Sequence, residues 1–93
     1  MARLYKVSGE IKEVSPKDGK EFSLEELKAF VHGHIEAVRV YSDVYMFVNE
    51  EGILLDLPLN KNASLYLLRH KTGFTGFIVG DALLVLDPAE TGD

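Results

Sequence analysis

Residues 35–49 read IEAVRVYSDVYMFVN, two runs of β-branched and aromatic residues that flank Ser42-Asp43. Such runs form strands, and a polar dipeptide between them marks a hairpin. A tight turn confined to Ser42-Asp43 sets Tyr41 against Val44, Val38 against Phe47 and Glu36 against Asn49. In that register Glu36, Val38, Val40, Tyr45, Phe47 and Asn49 share one face, and Ile35, Ala37, Arg39, Val44, Met46 and Val48 the other. Both faces are mostly apolar. The hairpin is therefore expected to be covered on both sides or to sit at a subunit interface.

Downstream, Glu51-Gly52 reads as a second tight turn into a strand from Ile53 to Leu57, which Pro58 ends. Asn60 or Asn62 can cap a short helix that runs to about His70, with Ala63, Tyr66, Leu67 and His70 on one face. Phe77 to Val79 and Ala82 to Leu86 read as strands around a bulge or tight turn at Gly80-Asp81. Upstream, residues 3–14 alternate as one strand, with Tyr5, Val7, Gly9 and Ile11 on one face, and Ser15 to Gly19 reverse the chain. Ser23-Leu24-Glu25-Glu26 is a capping box, and Phe22 and Leu27 form a hydrophobic staple over it. Gly33 is expected to end this first helix as its left-handed cap.

The pattern is α+β: a mostly antiparallel mixed sheet with two short helices, in the order β-α-β-β-β-α-β-β. The 93 residues fit one domain, 1–93, with a frayed tail at 88–93. With 46% hydrophobic residues the chain has enough apolar surface to fold. The absence of cysteine excludes disulfides and thiolate chemistry and fits a reducing compartment, so a cytoplasmic location is expected. The longest apolar runs are strand-sized, and no membrane partner is expected. A net charge of −5 opposes non-specific nucleic-acid binding. Arg3, Lys6, Lys12, Lys17 and Lys20 nevertheless gather near the start of the chain, where a solvated strand face accounts for them.

Leu24-Glu25-Glu26-Leu27 with Val31, Gly33, Ile35 and Glu36, then Asn49-Glu50-Glu51-Gly52, then Pro58, Asn60 and Ala63, then Gly80-Asp81, form an ordered set. It resembles a family of small uncharacterised proteins, domain of unknown function 3846, over about residues 22–87. The Asn-Glu-Glu-Gly step is its most specific element. The resemblance implies a small protein of bacteria, archaea or their viruses, with no assigned activity and a raised chance of a phage or mobile-element accessory role. It leaves the first strand, 3–14, outside the matching region and implies nothing about histidine chemistry.

Several residues have chemistry to offer. His32, His34 and Glu36 are two apart and on a continuous strand would face one way as metal ligands, although a helix stop at Gly33 breaks that alternation. Glu36 opposite Asn49 makes a polar centre on an apolar face, where a carboxylate needs a donor. Glu50 and Glu51 belong to a hairpin tip. With Glu36 and Asp81 they could form a carboxylate cluster for a hard cation. Asn60 and Lys61 at a helix start, and Arg39 on the hairpin, could take an anion. No nucleophile–base set, phosphate loop or dinucleotide fingerprint is present, and no cofactor is expected. Tyr5, Tyr41, Tyr45 and Tyr66 with Arg39 and Arg69 are interface-type residues, so a homo-oligomer is expected.

The expected function is a non-catalytic binding or interaction module that takes a small anionic ligand or a host protein. The alternatives are a metal-dependent hydrolase using Glu36, Glu50 and Asp81, and a protein that binds or mimics nucleic acid.

Overall fold

A computed structural model describes residues 2–86. The tail expected to fray, 88–93, lies outside the described residues. A five-stranded antiparallel sheet has the order β2-β1-β7-β4-β3, formed by β1 (Ala2–Tyr5), β2 (Ile11–Val14), β3 (Ile35–Tyr41), β4 (Val44–Asn49) and β7 (Ala82–Val85). A two-stranded ribbon joins β5 (Leu59–Asn60) to β6 (Ile78–Val79). The helices are α1 (Leu24–Val31) and α2 (Lys61–His70). The class is α+β and the helices and strands follow in the expected order, with the first strand folded into a hairpin.

That fold-back corrects the continuous strand read over 3–14. Gly9 takes φ 100°, the Gly9 N–H donates to Lys6 O and the Lys6 N–H donates to Glu10 O, so β2 returns along β1 with Tyr5 opposite Ile11. Tyr5 is buried and Ile11 half exposed, because they lie on a central and an edge strand.

The helices cover opposite faces of the sheet, which is why β7 is apolar at every position. Leu83 packs with Leu4, Leu27, Phe30 and Phe47 beneath α1, and Leu84 with Tyr5, Met46, Val48 and Leu67 beneath α2. Coverage of the 35–49 hairpin on both sides is as the sequence predicts. The register is not. A bulge at Val40 lies between the pairs Arg39–Tyr45 and Tyr41–Val44, so Glu36 pairs with Val48 and Ile35 with Asn49. The Ser42-Asp43 turn keeps Tyr41 opposite Val44, with Ser42 at φ 46°, and the extra residue at Val40 shifts every pair beyond it. The bulge also aligns Val38 and Val40 with Val44, Met46 and Val48 toward α2, where Val40, Val44, Met46 and Val48 are buried.

The capping box forms as read. The Glu26 N–H donates to Ser23 Oγ at 3.1 Å and the Ser23 N–H to Glu26 Oε1 at 2.8 Å. Donation from the backbone of Ser23, then of Lys17, holds the Glu26 carboxyl below its ordinary value of 4.5. A lowered folded pKa contributes stability that is present above the unfolded value and is lost as pH falls through the folded one. The expected result is a Tm gap between wild type and Glu26→Gln that is widest near neutral pH and closes in acid; a constant gap would show that the charge is irrelevant.

The left-handed residue that ends α1 is His32, at φ 66°, and not Gly33. Gly33 is required for a different reason: a Cβ there would lie 2.8 Å from Asn49 Nδ2. The strand read at Ile53 to Leu57 is instead a helical turn. Leu55 N–H donates to Glu51 O, Asp56 N–H to Ile53 O and Leu57 N–H to Gly52 O, closed by Asp56 at φ 56°. This is the bonding of a helix C-terminus, with aspartate in the place glycine usually takes. The turn satisfies its own backbone, so it needs no neighbouring strand.

Candidate functional site

The bulge separates the proposed polar pair. Glu36 projects from β3 on the α2 face, whereas the Asn49 side chain reaches under the end of α1. There Asn49 Nδ2 donates to Val31 O at 3.1 Å, and Oδ1 accepts from the Glu51 N–H at 2.8 Å. Asn49 is 5% exposed and its bonds are to backbone, so it is a strut that ties α1 to the loop after β4. The reading of Glu36 and Asn49 as one polar centre is overturned.

Asn60 is likewise structural. It is fully buried, its Oδ1 accepts from the Ala63 N–H at 3.1 Å as the cap of α2, and its Nδ2 donates to Tyr5 O and Gly80 O, each at 2.8 Å. A helix amide that an anion would need is thereby occupied. Lys61 is exposed on the first turn. Arg39 Nε donates to Ser42 O at 2.9 Å and stiffens the hairpin turn.

Asp81 lies level with Asn49 at the same end of the sheet but on the α1 side, away from the face that carries Glu36. Its Oδ1 accepts from the Val7 N–H at 2.9 Å, and its Oδ2 lies 3.1 Å from His32 Nε2, joining the first hairpin to the end of α1. Asp81 therefore does not converge with Glu36 and Glu50. Among the described residues no group of three or more His, Asp or Glu could hold a metal, so His32, His34 and Glu36 do not assemble as ligands. His34 is exposed, and its carbonyl accepts from the Glu50 N–H at 2.8 Å. No helix among the described residues is long and apolar enough to cross a membrane.

Of the tyrosines read as interface residues, Tyr5 is internal and Tyr66 is half-buried against it. Tyr5 is buried, and Tyr66 packs on it with ring centroids 6.1 Å apart and on His70 at 4.2 Å. Burial first, then a hydrogen bond with Tyr41, pushes the Tyr66 phenol well above its ordinary range, so it stays neutral at physiological pH.

What the fold does build is a cleft of about 280 Å³ on the α2 face at the β3 edge. Glu36, Val38 and Val48 form its floor. Glu50, Gly52, Ile53 and Leu54 from the helical turn form one wall, and Phe74, Phe77, Ile78 and Val79 the other, with Asn49 at the junction. Among the described residues Glu36 and Glu50 are the only ionisable ones that line it; Arg39, Glu51, Lys61 and Asp81 lie elsewhere. Ile53 is 76% exposed, Leu54 85% and Phe77 58%, and all three border the cleft. Side chains this apolar are costly to leave in water as a contiguous group, which marks a surface for contact.

The walls were the part missed by reading the chain. Ile53, Leu54 and Leu55 look like strand interior by composition. Gly52, Asp56 and Pro58 around so short a run were the available signal for a turn.

The chain matches the family described as Domain of unknown function (DUF3846) over residues 4–93. It belongs to that family. The match in this DUF3846 chain starts inside β1, so the first hairpin is part of the family domain, where the resemblance had left it outside. No curated protein and no solved structure shows significant similarity to the chain.

Proposed function

We propose that this DUF3846 chain is a non-catalytic binding module whose partner presents an apolar group carrying positive charge to the cleft. The observation that carries this reading is the composition of the cleft among the described residues: exposed aliphatic and aromatic walls, two carboxylates and no cation. An anionic ligand would meet Glu36 and Glu50 without a compensating lysine or arginine, and in a partly desolvated cleft that repulsion is weakly screened. A cation flanked by apolar groups gains on both terms. The reading extends to an accessory protein of a phage or other mobile element, with a host protein as the partner. The support for that extension is the resemblance to a family of small bacterial, archaeal and viral proteins.

Titration of the ¹⁵N-labelled protein with benzylammonium and, separately, benzoate tests the cleft. Benzylammonium is expected to move the amide resonances of Glu36, Val38, Gly52 and Phe77, and benzoate to leave them in place. Equal responses, or none to either, would overturn the proposal. A mass in light scattering that rises with protein concentration would assign the apolar walls to a second copy of the chain instead.

A further inference from the structure

We infer that the partner's segment is extended and adds to the sheet as a further strand along β3, antiparallel to it, with a lysine or arginine opposite Glu36. The inference rests on the binding reading above and names its partner class and mode of docking.

The first observation is the state of the edge. β3 is the last strand of the sheet among the described residues. In an antiparallel ladder alternate residues spend their backbone groups on one neighbour, and the residues between them point the other way. Glu50 N–H donates to His34 O, and the register runs Glu36–Val48 and Val38–Met46. His34, Glu36 and Val38 therefore bond to β4, and Ile35, Ala37 and Arg39 turn their N–H and C=O groups outward. Lys71 Nζ supports this assignment, since it donates to Arg39 O at 2.7 Å from outside the ladder. Lys71 and the bulge at Val40 close the far end of the edge. Ile35 and Ala37 keep outward backbone groups with no partner among the described residues, and no proline, bulge or lysine guards them.

The second observation is that the cleft lies against this same stretch. Glu36 and Val38 are both floor residues of the cleft and β3 residues. A strand laid beside β3 would place the residues opposite Glu36 and Val38 on the cleft side, since cross-strand neighbours share a face. A basic residue opposite Glu36 and an apolar one opposite Val38 match what the cleft offers.

A second copy fits this edge poorly. Two-fold pairing must oppose outward residues to outward residues. Opposing Ile35 to Ala37 sets Glu36 directly against its own copy, and opposing Ile35 to itself requires the Gly33 N–H that Lys28 O already takes. Opposing Ala37 to itself requires the Arg39 carbonyl that Lys71 already occupies. A net charge of −5 on each chain adds repulsion at longer range. A foreign basic strand meets neither obstacle.

The probe is the peptide acetyl-Thr-Val-Thr-Lys-Thr-amide, which laid antiparallel sets its Val opposite Val38 and its Lys opposite Glu36. With the peptide in excess, amide exchange at Ile35 and Ala37 is expected to slow about tenfold, with Glu36 and Val38 unchanged because β4 already holds them. The same peptide N-methylated at its threonines should lose the effect. The variant Glu36→Lys, at an exposed strand position, should reverse the preference toward a probe with Glu in place of Lys. Chemical-shift changes at Gly52 and Phe77 without slowed exchange at Ile35 and Ala37 would overturn strand addition and leave the cleft reading standing. Slowing that survives N-methylation would overturn it equally. No response to the peptide, with the benzylammonium response intact, would also remove the strand alone; silence to both probes would remove the two readings together.

Discussion

Replacing Asn60 with Ala is expected to cost about 3–5 kcal/mol, measured by urea denaturation. A chain of this length has on the order of 5–14 kcal/mol in total, so the loss is a large part of it. The reason is the number of buried groups that one side chain serves. Its amide nitrogen donates to Tyr5 O at the end of β1 and to Gly80 O in the turn before β7, and its oxygen accepts from the Ala63 N–H at the start of α2. Deletion strands two carbonyls and one N–H in a site with no solvent exposure. Asn60→Asp separates the capping role from the donor role. Aspartate is as good a cap as asparagine, but it donates nothing and sets a carboxylate against two carbonyl oxygens. It is expected to be at least as damaging as Ala. An Asp variant within about 0.5 kcal/mol of wild type would reduce Asn60 to an ordinary helix cap.

The second large effect is a coupling. Asn49→Ala is expected to cost about 2–4 kcal/mol, since it leaves Val31 O and the Glu51 N–H without their partner beneath α1. Gly33→Ala is expected to cost about 1–3 kcal/mol on its own, because the new methyl would meet Asn49 Nδ2 at 2.8 Å and push it off Val31 O. In the Asn49→Ala background that obstacle is gone, so adding Gly33→Ala should then cost little. A double-mutant cycle should return at least about 1 kcal/mol of coupling between residues 33 and 49. Additive costs would mean that Gly33 serves the backbone alone and that the close approach is not what excludes a side chain.

Local chemistry was legible in the chain wherever a residue acts on its near neighbours. Ser23 and Glu26 cap each other three residues apart, and Asn60 caps Ala63 three residues on. The hydrophobic runs of β3 and β4 marked a hairpin covered on both faces, and that of β7 marked a strand. The candidate site was far less legible. Its expected centre, Glu36 with Asn49, depended on a register that a single extra residue reverses, and Val40 supplies that residue. A one-residue slip sends every side chain beyond it to the other face of the sheet. The tyrosines misled for a related reason. Composition marks Tyr5 and Tyr66 as contact-type residues, but only the packing of β1 against α2 shows that their contacts are with each other.

The chain by itself determined the two helices, the central hairpin, the last strand and the need to bury both faces of that hairpin, because these follow from propensity, caps and periodicity over a few residues. Tertiary packing decided which face each hairpin side chain takes, that Ile53 to Leu55 stand in a helical turn beside Phe77, and that Glu36 and Glu50 share a cleft while Asp81 lies apart. Each of those outcomes turns on contacts between segments distant in sequence, where buried area and backbone hydrogen bonding outweigh the preferences of any short stretch.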